Sequence, residues 1–286
     1  FTIGNDNALR NTNGETYVAW CWKLDGGTTS SNSDGSITAT VQANPDAGFS
    51  IALYEGTQSS ATVGHGLGIA PKMVITKARN AGNGWPTLVV GSDGTVFGGQ
   101  RLNETNANSV GNGIGFYGNT APTDSVFTLG NSDESNRNAT DTIAYCFADV
   151  AGYQKIGTYT GNGSTTGPIV ETGFEPAFLM IKRADSTSDW GIWDNIRTTS
   201  NPRNIKLNAN DNSVESGPNT LLNIDFFSNG FQITNSNSNT NASSGTFVYW
   251  AIAADPATEV PTLANSFNIE TYTGNATNNS VDIGFD

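Results

Sequence analysis

Apolar residues in this chain come in short alternating bursts, separated by runs of Asn, Ser, Thr and Gly. In Tyr17-Val18-Ala19-Trp20-Cys21-Trp22, an extended backbone puts Val18, Trp20 and Trp22 on one face and the smaller partners on the other, because strand side chains alternate. Ile143, Tyr145 and Phe147 repeat the pattern in Thr142–Phe147, as do Val248, Trp250 and Ile252 in Phe247–Ile252. One aromatic face recurs three times and is predicted to be core. Lys72–Lys77 and Ala177–Lys182 read as short apolar strands bounded by proline and a charged residue. Asp225-Phe226-Phe227 leads into Ser228-Asn229-Gly230, and Gly115-Phe116-Tyr117 into Gly118-Asn119. The Asn-Gly step is a strong hairpin cue. Gly, Asn and Asp supply a turn every ~8–12 residues, the rhythm of a sandwich. No stretch holds a helical period with caps. The expected fold is all-β: antiparallel β-sandwich modules of about 100 residues in tandem, jelly-roll-like in topology.

The bursts are organised as a repeat. Gly48-Phe49-Ser50-Ile51-Ala52-Leu53-Tyr54-Glu55-Gly56 returns as Lys155–Gly163 and again as Phe267–Asn275. The offset between Tyr54 and Tyr159 is 159 − 54 = 105, and Pro71/Pro176, Lys77/Lys182 and Trp85/Trp190 share it. Each aromatic block follows a polar run opened by a strand-like tripeptide: Phe1-Thr2-Ile3, Phe127-Thr128-Leu129 and Phe231-Gln232-Ile233. The module boundaries this phase predicts are the end of a preceding module at 1–22, a module at 23–147 with a linker at 24–48, a second at 148–253, and a linker plus the start of a further module at 254–286. Pro256 and Pro261 stiffen the second linker. Phe1 is no start methionine, and Ile283-Gly284-Phe285-Asp286 resembles Thr172-Gly173-Phe174-Glu175, which leads into Pro176. The chain therefore reads as a window of a longer product or a mature processed piece. Copies of one module build length, surface or valency rather than a single catalytic centre.

Charge and composition narrow the function classes. With 13 Lys and Arg against 26 Asp and Glu, the net charge is −13. No basic cluster is present to displace counterions from a nucleic acid. No apolar run approaches the ~20 residues of a membrane-spanning helix. Cys21 and Cys146 hold equivalent module positions, where the third copy has Ala251. They read as buried thiols, since a disulfide between equivalent sites needs unusual geometry. Two Cys and one His cannot make an all-Cys/His zinc site. No cofactor and no metal are expected.

The candidate chemistry is sparse. His65, the single histidine, lies in Val63-Gly64-His65-Gly66-Leu67-Gly68; the second copy has Val170-Glu171-Thr172-Gly173 there, so loop packing is the expected role rather than catalysis. No helix pattern follows these glycines, which excludes a phosphate loop. Asp133, Glu134, Asp141, Asp185, Asp189, Asp194, Asp211 and Glu215 would be the carboxylates of a glycosidase, but no pair of them repeats, and they read as solvated surface. Asn208-Ala209-Asn210-Asp211-Asn212 is rich in oxygen ligands without the full spacing of a calcium loop. Trp85, Trp190 and Trp193 are the ligand-binding candidates, because exposed indoles stack on sugar rings. The competing reading makes Trp85 and Trp190 equivalent core residues. Trp193, with Leu88 at the 105-offset position, is expected to be the exposed one. Asn103, Asn138, Asn162, Asn241 and Asn275 open N-glycosylation patterns that so Asn-rich a chain produces by chance.

Several blocks carry a family resemblance: Tyr17-Val18-Ala19-Trp20-Cys21-Trp22-Lys23, Asp34-Gly35-Ser36-Ile37, Ala47-Gly48-Phe49-Ser50-Ile51, Gly64-His65-Gly66-Leu67-Gly68-Ile69-Ala70-Pro71-Lys72-Met73 and Tyr159-Thr160-Gly161-Asn162-Gly163. Together they resemble a domain that recurs in structural and tail-fibre-like proteins of marine tailed bacteriophages. The resemblance covers most of the chain, in more than one copy. It implies a non-enzymatic virion protein of fibre, tail appendage or capsid surface, located in the particle. The partners it implies are other virion proteins and copies of itself, without nucleic acid or membrane. It brings no catalytic residues, and the second module departs from the pattern at Glu171–Glu175. The alternative is an adhesin recognising host-surface carbohydrate through an aromatic set among Asn and Asp. A depolymerase would instead need two carboxylates roughly 5–10 Å apart in a cleft.

Overall fold

Alternation of bulky and small residues makes each aromatic block a strand that can be buried on both faces. The computed structural model describes residues 2–4, 11–24, 27–108, 115–253, 267–276 and 279–283. The arm expected at 254–266 lies outside them. The first strands are β1 (Thr2–Ile3) and β2 (Thr16–Trp22). Then come β3 (Ser30–Asn32), β4 (Ala39–Asn44), β5 (Phe49–Glu55), β6 (Ala61–Gly64), β7 (Met73–Ala78), β8 (Pro86–Val90), β9 (Val96–Arg101), β10 (Val126–Leu129) and β11 (Asp141–Phe147). The second copy holds β12 (Gln154–Thr160), β13 (Ile169–Glu171), β14 (Pro176–Arg183), β15 (Trp190–Asp194), β16 (Leu207–Asn208), β17 (Ile224–Phe227), β18 (Gly230–Ile233) and β19 (Thr246–Ala253). β20 (Phe267–Thr273) and β21 (Asn279–Ser280) follow. Single-turn helices α1 (Asp133–Asn136) and α2 (Ser238–Asn241) precede β11 and β19. The chain is nearly all-β, in several antiparallel sheets.

One pairing occurs three times in one register. β5 meets β11 with Tyr54 opposite Thr142 and Phe49 opposite Phe147. β12 meets β19 with Tyr159 opposite Phe247 and Gln154 opposite Ile252. β20 meets β2 with Tyr272 opposite Tyr17 and Phe267 opposite Trp22. Residues that the repeat assigned to two separate partial modules thus share one ladder, and β1 pairs with β21 beside it. Around the first two ladders, larger sheets grow in the orders β3-β4-β5-β11-β7-β8-β9 and β12-β19-β14-β15-β16. Smaller sheets, β10-β6 and β13-β18-β17, complete the set with the two terminal pairs.

The stretch 24–48, expected as a linker, instead supplies β3 and β4 to the seven-stranded sheet. Its polar residues hide an alternation in which Ala39 and Val41 are buried and Thr40 is exposed. The Asn-Gly cue was informative: β17 and β18 form a hairpin around Ser228-Asn229. Gly115–Tyr117, by contrast, forms a helical turn. Its aromatics act as plugs, and the buried Tyr117 hydroxyl donates to the Pro86 carbonyl at 2.8 Å.

Three cores result. Val41, Ala52, Val74, Leu88, Ala144 and Cys146 of the seven-stranded sheet face Val63, Phe127 and Leu129 of the β10-β6 pair. Leu179, Ile181, Trp193, Tyr249 and Ala251 of the five-stranded sheet face Val170, Ile224, Phe226, Phe231 and Ile233. The opposite faces of both large sheets meet each other and β2 in a shared core. This is the face whose aromatic repetition predicted burial. Trp22 stacks on Trp250 at 5.4 Å between ring centroids and 20° between planes; Phe147 lies 4.3 Å from Trp250 and 6.2 Å from Trp22.

A polar clamp recurs with the same threefold logic. Asn136 and Asn241 end α1 and α2; both are fully buried, as is Asn11. The Asn136 Oδ1 accepts the Thr57 N–H at 2.8 Å, while its Nδ2 donates to the carbonyls of Ser59 and Gly130 at 2.7 and 2.8 Å. Asn241 repeats this with Asn162 N–H at 2.8 Å and the carbonyls of Ser164 and Asn235 at 2.6 and 2.8 Å. Asn11 accepts from Asn275 N–H at 3.0 Å. The approach requires glycine opposite: a Cβ on Gly56, Gly161 or Gly274 would stand 2.2, 2.3 or 2.1 Å from the carbonyl oxygen of Arg137, Ala242 or Thr12. Tyr54 and Tyr159 close the clamp from the next strand position, donating to the Ser135 and Thr240 carbonyls at 2.6 and 2.7 Å.

The two thiols are free and unequal. Cys146 is fully buried, and burial pushes it up to about 12. Cys21, expected buried, is half-buried on β2. Burial raises the Cys21 thiol too, but it is partly accessible, so a thiol reagent added to the native chain near pH 8 is expected to label Cys21 faster than the enclosed Cys146, since only an accessible thiolate reacts. Mass mapping of the labelled peptides checks this; equal labelling would refute the packing described for β11.

Candidate functional site

The three tryptophans singled out by sequence occupy different places. Trp190, on β15, is 1% exposed in the shared core, and its indole N–H donates to the Arg101 carbonyl at 2.9 Å. Trp193, expected to be exposed, is also 1% exposed: it fills the core of the second copy and donates to the Leu222 carbonyl at 3.1 Å. β15 has apolar layers on both sides, so both of its indoles are buried although they point opposite ways. Trp85 lies half-buried at the rim of the shared core, stacked 6.4 Å from Tyr145 with the Lys77 ammonium 5.8 Å from its ring. The structure does not bring these three into one groove.

A different aromatic set lines a cavity of about 440 Å³. β2 contributes Trp20 and Trp22, β19 Trp250, and β14 Phe178 and Met180. Asn208 at the end of β16 and Asp211, Asn212 and Ser213 of the loop after it also line the cavity. Asp211 shapes that loop: its carboxylate accepts the Ser213 N–H and the Asn208 Nδ2, each at 2.9 Å. These donors hold the Asp211 carboxyl below its usual range. The indole N–H groups of Trp20 and Trp22 are buried and have no partner among the described residues. Aromatic rings and a carboxamide–carboxylate loop therefore border one cavity, the mixed lining in which ligands are commonly held, although the Trp22 ring is already stacked on Trp250. Sequence reasoning read Trp20, Trp22 and Trp250 only as core. The usable signal was Asn208–Asn212, a cluster of side-chain oxygens that the sequence already set apart.

A second, polar cleft of about 590 Å³ runs between Asn103–Asn106 of the first copy and Thr187, Asp189, Asn210 and Asp211 of the second. Asp189 is engaged by Asn210 Nδ2 at 3.0 Å and by the Lys206 ammonium at 3.6 Å. The fully buried Lys182 closes this side, donating to the Arg183 carbonyl at 2.7 Å and reaching the Thr105 carbonyl at 3.4 Å. Burial lowers its ammonium to about 8, opposed by the charge of Asp189.

Other candidate acids serve the fold. Asp194 is buried, paired with Arg197 at 2.7 Å and accepting the Ile196 and Arg197 N–H groups. Glu134 accepts the Gly84 N–H at 2.8 Å beside Arg101. Asp185 pairs with Arg183 at 2.7 Å, which holds its carboxyl low. Among the described residues no cluster of His, Cys, Asp and Glu could hold a metal ion.

His65 is fully buried, with Nε2 3.2 Å from the Thr123 carbonyl and Nδ1 accepting the Leu67 N–H at 3.2 Å. That geometry defines a neutral ring with its proton on Nε2, and it matches the expected loop-packing role. Burial lowers its pKa, against the Thr123 hydrogen bond. A folded pKa below the unfolded one contributes stability that is present above the unfolded value and lost as pH falls through the folded one. As the single histidine, His65 gives one NMR titration, expected to have its midpoint below 6.5. A midpoint at or above 6.5 would contradict the buried neutral ring.

Fold and site together define an all-β protein whose antiparallel sheets close on a shared aromatic core beside an aromatic-floored cavity. Residues 1–256 match the family described as a domain of unknown function (DUF7483), and the chain belongs to that family. No curated protein matches the chain, and no solved structure does.

Proposed function

We propose that the chain is a non-enzymatic structural protein of a bacteriophage virion, part of a fibre, tail appendage or capsid-surface decoration. The observation that carries the reading is the shared core: the aromatic residues that mark the sequence repeat are spent on joining copies, through Trp22, Phe147 and Trp250. A chain built this way presents surface and length, and its partners are other virion proteins and further copies of itself. The resemblance of its blocks to tail-fibre-like phage domains gives the setting. Cryo-EM of phage particles purified from the source that encodes the chain, with mass mapping of their proteins, tests this. Density as a repeated subunit on tail or shell is the expected result, and particles lacking the chain would overturn it.

The second reading is an adhesin that recognises host-surface carbohydrate. It is favoured by the 440 Å³ cavity with Trp20, Trp22 and Trp250 beneath a rim of Asn208, Asp211 and Asn212. Density confined to a distal tip would support it, as would glycan-array binding lost in Asn212→Ala.

A further inference from the structure

The threefold register exposes an asymmetry at β2. In the first copy the aromatic strand β11 has β5 on one edge and β7 on the other. In the second copy β19 lies likewise between β12 and β14. β2 pairs with β20 on the first edge, and among the described residues no strand pairs with the second. Burial follows: every described position of β19 but Thr246 is buried, whereas no residue of β2 is. A seven-residue edge without a strand partner among the described residues, apolar on one face, is a template for strand addition.

We propose that this edge of β2 is a docking site for a partner strand supplied from outside residues 1–286, proline-led and apolar with a lysine near its end. The chain itself specifies that chemistry, because two strands of the pattern hold the equivalent edges. Met73, Ile75 and Lys77 of β7 stand opposite Phe147, Tyr145 and Ile143. Phe178, Met180 and Lys182 of β14 stand opposite Ile252, Trp250 and Val248. The same register on β2 sets two large apolar residues opposite Trp22 and Trp20, and the lysine opposite Val18. Neither β7 nor β14 is free to serve, since each is central in its own sheet, β7 beside β8 and β14 beside β15. Docking completes the third ladder on the pattern of the other two.

Hydrogen exchange at residue resolution tests the proposal, with a synthetic peptide of residues 175–186 (Glu-Pro-Ala-Phe-Leu-Met-Ile-Lys-Arg-Ala-Asp-Ser) and a scrambled control. The peptide is added free and, in a second preparation, fused after Asp286 through a flexible Gly/Ser linker, so that poor peptide solubility does not decide the result. The expected result is exchange slowed roughly tenfold or more at those amides of Thr16–Trp22 that do not bond β20, at one peptide per chain, with no change from the control. Three results would overturn the proposal: no slowing in either preparation; β2 amides already as protected as those of β11 and β19 without peptide; or a concentration-dependent dimer that protects β2, which would make a second copy the occupant.

Discussion

Alanine in place of Trp250 is expected to destabilise the chain by about 3–5 kcal/mol, the range for removing a buried Trp or Phe. Trp250 bridges residues of both large sheets and β2 in the shared core. It stacks on Trp22, lies 4.3 Å from Phe147 and meets Phe178 edge-on at 5.4 Å, and its indole N–H donates to Gln154 Oε1 at 3.0 Å. Trp250 is 4% exposed and surrounded by other aromatic side chains, so its removal loses packing as well as transfer free energy. Denaturant unfolding followed by far-UV circular dichroism measures it, and Trp250→Phe should recover a large part. The double variant with Phe147→Ala should deviate from additivity, since the rings are in direct contact. A loss under about 1 kcal/mol for Trp250→Ala would mean the copies do not depend on the shared core.

Asn241→Ala is expected to cost nearly as much, about 3 kcal/mol, by a different mechanism. The fully buried side chain accepts from Asn162 N–H and donates to the Ser164 and Asn235 carbonyls. Truncation orphans those backbone groups together, at roughly 1–3 kcal/mol for each one that stays unsatisfied. Asn241→Asp should not rescue, because it keeps the acceptor for Asn162 N–H but replaces the Nδ2 donor with an oxygen facing two carbonyls. Asn136→Ala in the first copy should show a comparable loss by the same unfolding assay. Near-wild-type stability in both would show that the clamp is dispensable.

The strands legible in sequence were those with simple alternation. The aromatic blocks announce themselves because one residue in two is large and apolar, the proline-led strands by a continuous apolar run after proline, and the β17–β18 hairpin by its Asn-Gly turn. β3 and β4 were illegible for the opposite reason: Ser30–Asn32 carries no apolar residue, and β4 uses Ala and Val sparingly between Thr, Gln and Asn. The buried asparagines were hidden by composition, since in an Asn-rich chain one more Asn reads as surface. The 105-residue offset links Asn136 to Asn241 and was the available signal. At the site, sequence identified the residue type, tryptophan, but not the residues. Whether an indole faces a cavity or a sheet depends on which layers cover its strand, and periodicity does not encode that. The two-sided burial of β15 took Trp190 and Trp193 out of reach, while the thinner cover over β2 left Trp20 and Trp22 beside open space.

The ladder between β2 and β20 also sets an order of events in time. Trp22 finds Phe267 roughly 245 positions later in the chain, a separation that makes closure slow compared with neighbouring hairpins. During synthesis the first and second copies can form their own cores while β2 waits with two indoles unpaired. That interval is when such a strand is prone to join the wrong neighbour. Yield of correctly closed protein should therefore fall with crowding of nascent chains.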